Sequence, residues 1–152
     1  MVCYGIDPHS NIESQPIAIF PGVMGIMAGI DLLAKFYAGT DEGSSGKRFK
    51  HFAKGYIDKE YYEEIYQLRN ALLHSFGTFS IDRRGKTYRF TLDQTSPELV
   101  NFREDLIIIN IQILRQKFEE AIERYRQDLL ELEYLQTKFL EMYRRYGFIW
   151  IG

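Results

Sequence analysis

Cysteine is nearly missing from this chain. Cys3 stands alone, so no internal disulfide can form and nothing in the thiol content asks for an oxidising compartment; cytoplasm is the expected location. Proline is scarce at four residues and glycine stops at twelve, which excludes collagen-like and low-complexity chains. Neither sign of charge dominates. The 19 Lys and Arg face 21 Asp and Glu, and a net charge of -2 excludes a protein that coats nucleic acid through bulk electrostatics, so local patches must carry any such binding. Long hydrophobic runs are absent too: the longest uncharged stretch, Ile17 to Ile30, falls short of the roughly 20 apolar residues of a membrane span and then meets Asp31 and Lys35. A buried helix is expected there, with no membrane partner. No basic start followed by a short apolar stretch and a small-residue cleavage site is legible, so a secretory leader is not expected.

What the chain has in quantity is aromatic surface. Eleven Tyr and eleven Phe within 152 residues point to broad apolar faces, and Tyr suits half-buried positions such as subunit interfaces, so an oligomer is expected. The length fits one domain with a core of its own.

Residues 1–15 are polar, carry Pro8 and show no period, which predicts a loosely held arm ahead of a single helical domain over 16–152. From Pro16 to Tyr37 apolar residues dominate and lead into a Gly39 stop, a first helix in which Pro21 starts or kinks the regular part. Its small residues Gly22, Gly25, Ala28 and Gly29 predict tight helix packing. After the loop Thr40 to Gly46 comes a short basic helix. Asp58 can then cap a helix with Tyr61, Ile65, Leu68, Leu72 and Phe76 on one arc, ending near Gly77.

Thr78 to Ile81 and Lys86 to Leu92 alternate like strands around an Arg84-Gly85 turn, and the β-branched run Leu106 to Ile109 predicts a third strand, with Asn110 as the next cap. The stripe Ile111, Leu114, Phe118, Ala121, Ile122 and Tyr125 continues through Met142, as one long helix or two broken near Asp128. The closing Phe148 to Ile151 is apolar enough to pack on the bundle or on a second subunit. The expected fold is therefore mostly α: an antiparallel bundle of four to five helices with a small β-hairpin or three-stranded insert around residues 78–110.

Chemistry concentrates in the helix before that insert. Arg69, Asn70 and His74 stand among apolar neighbours, with Asn70 and His74 one turn apart on the face away from the core stripe and Arg69 at the core's edge near Tyr62 and Tyr66. An imidazole exchanges protons near neutral pH, and a guanidinium offers a planar, permanently charged fork for phosphate oxygens. Asn70 could fix the ring's tautomer or hold a phosphate. The three His residues are scattered and no Cys or Asp cluster has ligand spacing, so neither a metal nor another cofactor is expected. Two basic stretches, with Lys47, Arg48 and Lys50 in one and Arg83 and Arg84 in the other, are the candidate substrate-binding residues, although solvated faces of a helix and a hairpin tip are the more ordinary explanation of such runs.

The run Arg69-Asn70-Ala71-Leu72-Leu73-His74 resembles the Arg-polar-three-residues-His signature of HEPN domains, a superfamily of nucleotide-binding and ribonuclease proteins. The helical setting, the aromatic first helix and the Leu-His-Ser-Phe-Gly helix end extend the resemblance loosely over residues 16–147. It implies a bundle that dimerises so that two motif helices face each other across one cleft, with Tyr62, Tyr66 and Leu73 at the interface. It also implies metal-independent cleavage of RNA by Arg69, Asn70 and His74, or else binding of a nucleotide, RNA or protein partner in the same cleft without turnover. A protein regulator is not identifiable from the sequence.

Overall fold

The computed structural model describes residues 19–75 and 77–146. The expected N-terminal arm and the closing Phe148 to Ile151 segment lie outside the described residues, as does Phe76.

Helix α1 (Ile19–Ala38) buries Val23, Met27, Ile30 and Ala34, a stripe three to four residues apart that faces the rest of the molecule. It stops where Gly39 turns to φ 72, a conformation open to glycine, and the Gly39 amide donates to the carbonyl of Lys35. At 20 residues α1 is long and apolar enough, by length and composition only, to cross a membrane, although Asp31 and Lys35 lie within it. Here its apolar stripe meets all of the other described α-helices. The small residues do not act together. A β-carbon at Gly29 would stand 2.5 Å from the Phe118 ring, whereas Gly22, Gly25 and Ala28 are exposed.

Helix α2 (Ser45–Phe52) is capped by Ser44, whose hydroxyl accepts from the Lys47 amide. It continues into a π-helical turn, Ala53–Ile57, before the chain extends at Asp58. The Asp58 carboxylate accepts from the amides of Glu60 and Tyr61 and pairs with Lys117 at 3.0 Å. Helix α3 (Tyr62–Ser75) follows and buries Ile65, Leu68, Ala71 and Leu72.

Strands β1 (Phe79–Ile81) and β2 (Thr87–Asp93) pair antiparallel, and β3 (Val100–Arg103) and β4 (Leu106–Asn110) do the same. The sheet order is β1-β2-β4-β3, with β2 and β4 parallel. A four-stranded mixed sheet thus replaces the expected hairpin or three-stranded insert. The strand missed, β3, turns into β4 through Glu104 at φ 55; Val100 and Phe102 alternate with Asn101 and Arg103, but over four residues only, too short a run to stand out along the chain.

Asn110 ends β4 and caps helix α4 (Ile111–Glu131), accepting from the amides of Gln112 and Ile113. Two C-terminal helices are present, not one. The break falls at Leu132, which is extended at φ -112 and ψ 103, before helix α5 (Glu133–Tyr146).

Part of the aromatic surplus forms one cluster between helices. Tyr37, Phe52, Tyr56 and Tyr125 meet edge to face or stacked at 4.8–6.1 Å, joining α1, α2, the π turn and α4. Burial, reinforced by a hydrogen bond from its hydroxyl to Asp128, pushes the Tyr56 phenol well above its ordinary range. Burial does the same to Tyr125, whose hydroxyl has no partner among the described residues.

Candidate functional site

The motif helix α3 lies between α1 and β1, and that sandwich decides what its polar residues can do. Arg69 is drawn inward. It is 8% exposed, sits over the Phe49 ring at 6.0 Å, and gives both Nε (2.8 Å) and Nη2 (2.7 Å) to Oδ2 of Asp31 on α1. Its Nη1 donates to Oδ1 of Asn70 at 3.0 Å and meets Nε2 of His74 at 2.8 Å. A guanidinium can only donate, so in this geometry His74 accepts through Nε2 and carries its proton on Nδ1. Four of the five N–H donors of Arg69 are engaged in this way, leaving one on Nη2.

In this arrangement Arg69 joins Asp31, Asn70 and His74. The ring is fixed by Arg69, while Asn70 holds the arginine and not the imidazole. Asp31 joins the site from another helix: nothing in the spacing along the chain pairs it with Arg69, and only the packing of α1 on α3 brings the two within reach. His74 itself is exposed.

Strand β1 covers part of the helix face that carries Asn70 and His74, at Gln67. Gln67 is 3% exposed; it accepts from the Ser80 hydroxyl at 2.8 Å and donates to Glu63 at 3.2 Å, and Glu63 pairs with Lys50 at 3.2 Å. This chain of polar contacts ties β1, α3 and α2 into one wall. With Ser80 turned inward, Phe79 and Ile81 on either side of it point outward, 48% and 59% exposed.

Two adjoining cavities result. One, of about 520 Å³, is lined by Arg69, Asn70, His74, Phe79 and Ile81, with Tyr66, Ser45 and Ser80. The other, of about 630 Å³, lies between α2 and the β1–β2 hairpin and is lined by Lys47, Lys50, Arg83, Arg84 and Lys86, together with the acids Glu63 and Asp82. Tyr66, Asn70 and Ile81 belong to both. Hydrogen bonds from the Lys86 amide, and then the Arg84 amide, hold the Asp82 carboxyl below the ordinary aspartate range.

Four of the five predicted substrate-binding residues, Lys47, Lys50, Arg83 and Arg84, therefore meet at one cavity although they come from separate segments. The fifth, Arg48, turns away and donates to the Glu42 carbonyl, stitching the loop before α2. The predicted interface residues Tyr62, Tyr66 and Leu73 are half-buried against their own chain's core; Tyr66 lies beside the Phe49 ring at 5.7 Å. Comparison with protein-family models, with curated proteins and with solved structures finds no match to this chain.

Proposed function

We propose that this chain is a HEPN-like cytoplasmic protein that binds RNA along the cationic cavity and, as a homodimer, cleaves it by attack of a ribose 2′-hydroxyl on the adjacent phosphodiester. The observation that carries the reading is the 2.8 Å contact between Arg69 and Nε2 of His74 at the edge of a cavity lined by Lys47, Lys50, Arg83 and Arg84. The ring is exposed, neutral in this geometry and fixed in one tautomer, the state a general base requires. A phosphate oxygen arriving at Nη1 would replace Nε2 there. The guanidinium would then face the charge that gathers on the phosphate, and Nε2 would be free to take the 2′-hydroxyl proton. The 2′-oxygen bonds to phosphorus as its proton passes to Nε2, the bond from phosphorus to the 5′-oxygen breaks, and that oxygen leaves with a proton from His74 of the partner subunit, which enters the step as the imidazolium; the products are a 2′,3′-cyclic phosphate and a 5′-hydroxyl.

One observation favours a second reading, an RNA-binding module without turnover: Arg69 is buried and most of its donors are already committed. One experiment separates the two. Purified protein is incubated with mixed RNA in chelator, and both the ends formed and the RNA retained are measured. Cyclic-phosphate ends that vanish in His74→Ala support cleavage, and retention without new ends supports the binding module. Cutting undiminished by His74→Ala, or no retention at all, overturns the proposal.

A further inference from the structure

We propose that Phe79 is a stacking platform for an unpaired base beside His74, so that the strand taken into the cleft is single-stranded RNA; this rests on the RNA reading above. The anchoring of Ser80 on buried Gln67 sets the register of β1 and leaves Phe79 pointing into the cavity that also holds His74 and Asn70. Its ring is 48% exposed and meets no other aromatic ring among the described residues, whereas Tyr66 in the same cavity is already packed on Phe49. A large ring left half in water has a face to offer.

The surroundings say which flat, apolar group fits it. Next to the patch lie the cationic side chains of the adjoining cavity, and of these Lys47, Arg83 and Arg84 make no ion pair among the described residues, while Lys50 is paired to Glu63. The complementary occupant is a polyanion with apolar faces at regular intervals, which describes a nucleic-acid strand. Bases inside a duplex are covered above and below by their neighbours. Only an unpaired base, splayed from its strand, can lay its face on Phe79 while the flanking phosphates reach the cationic wall.

The test uses the full chain carrying His74→Ala, so that bound RNA stays intact, and a short labelled oligoribonucleotide either alone or annealed to its complement. Fluorescence anisotropy should show Phe79→Ala weakening single-strand binding about tenfold, Phe79→Trp restoring it, and Phe79→Leu failing to, since leucine is apolar but has no ring face. Duplex binding should be the same for all of them. Equal single-strand affinity in the leucine variant, or an equal loss on the duplex, overturns the inference. So does a change of oligomeric mass in Phe79→Ala, which would make the patch a subunit contact. Single-strand binding indifferent to Phe79 removes this inference and leaves the RNA reading standing; absence of RNA binding in every form removes both.

Discussion

Helix α2 passes directly over Tyr66: a β-carbon built on Gly46 would stand 2.3 Å from the Tyr66 hydroxyl and 2.8 Å from the ring carbon that bears it. Gly46 is buried, and the ring beneath it lines both cavities, with Phe49 on one flank and Lys50 above its face. The absence of one methyl group therefore sets how closely the basic helix approaches the motif helix. Gly46→Ala is expected to cost roughly 1–3 kcal/mol by overpacking and to weaken RNA binding as the ring shifts. Adding Tyr66→Phe should recover part of the stability, because the clash with the hydroxyl goes while that with the ring carbon stays. Urea midpoints of the two single variants and the double variant give the coupling directly; strict additivity would reject this account.

Asp31 holds Arg69, and Arg69 holds His74. Asp31→Ala strands a guanidinium that is 8% exposed, with an expected loss of roughly 2–3 kcal/mol. Arg69→Lys keeps the charge but not the fork, so it should lose cleavage more completely than it loses stability. The split is read by comparing thermal midpoints with cyclic-phosphate formation, and parallel losses in both variants would mean that the network is structural only.

The cationic wall makes a salt-dependent prediction. Removing Lys47 or Arg84 should lower the slope of log affinity against log salt by about 0.7 for each phosphate that is no longer neutralised. Arg48→Ala should leave the slope alone, because that side chain is turned to the Glu42 carbonyl. An unchanged slope in the Lys47 and Arg84 variants would show that the strand runs elsewhere.

Asp58 gives the fold an acid limit. Burial opposes its charge, yet hydrogen bonds from the Tyr61 amide, Lys117 and the Glu60 amide prevail and hold the carboxyl below its ordinary 3.8. A depressed folded value means that its contribution is complete above 3.8 and is lost as pH falls below it. Asp58→Asn retains an oxygen to cap the turn but not the ion pair with Lys117. It should be less stable than the parent at neutral pH, by about 1 kcal/mol, and the gap should close on acidification. Denaturant midpoints across that range decide it.

Local signals were legible where one residue does one job. The Gly39 stop, the Asn110 cap and the Tyr88-Phe90 alternation of β2 act over a few residues and follow from backbone preference alone. The grouping Arg69, Asn70 and His74 was visible for the same reason, being six residues of one helix. Partners brought from a distance were not. Asp31 reaches Arg69 across 38 residues, and the burial of Gln67 depends on β1 folding over α3, which helical periodicity cannot announce. Nor was the mutual packing of Tyr37, Tyr56 and Tyr125 legible; ring-to-ring geometry, unlike spacing, is not written along a sequence.

Asn110 belongs to a strand and to a helix at once, with no intervening residue to act as a joint. Its side-chain amide also clamps the Ser96 carbonyl, and its backbone amide the Leu99 carbonyl. The sheet and the 21-residue α4 must then travel together, like a blade welded to its handle. The Asp82–Lys86 tip and α2, whose side chains line the cationic cavity, are then the first two places for a labelling study of groove dynamics to watch.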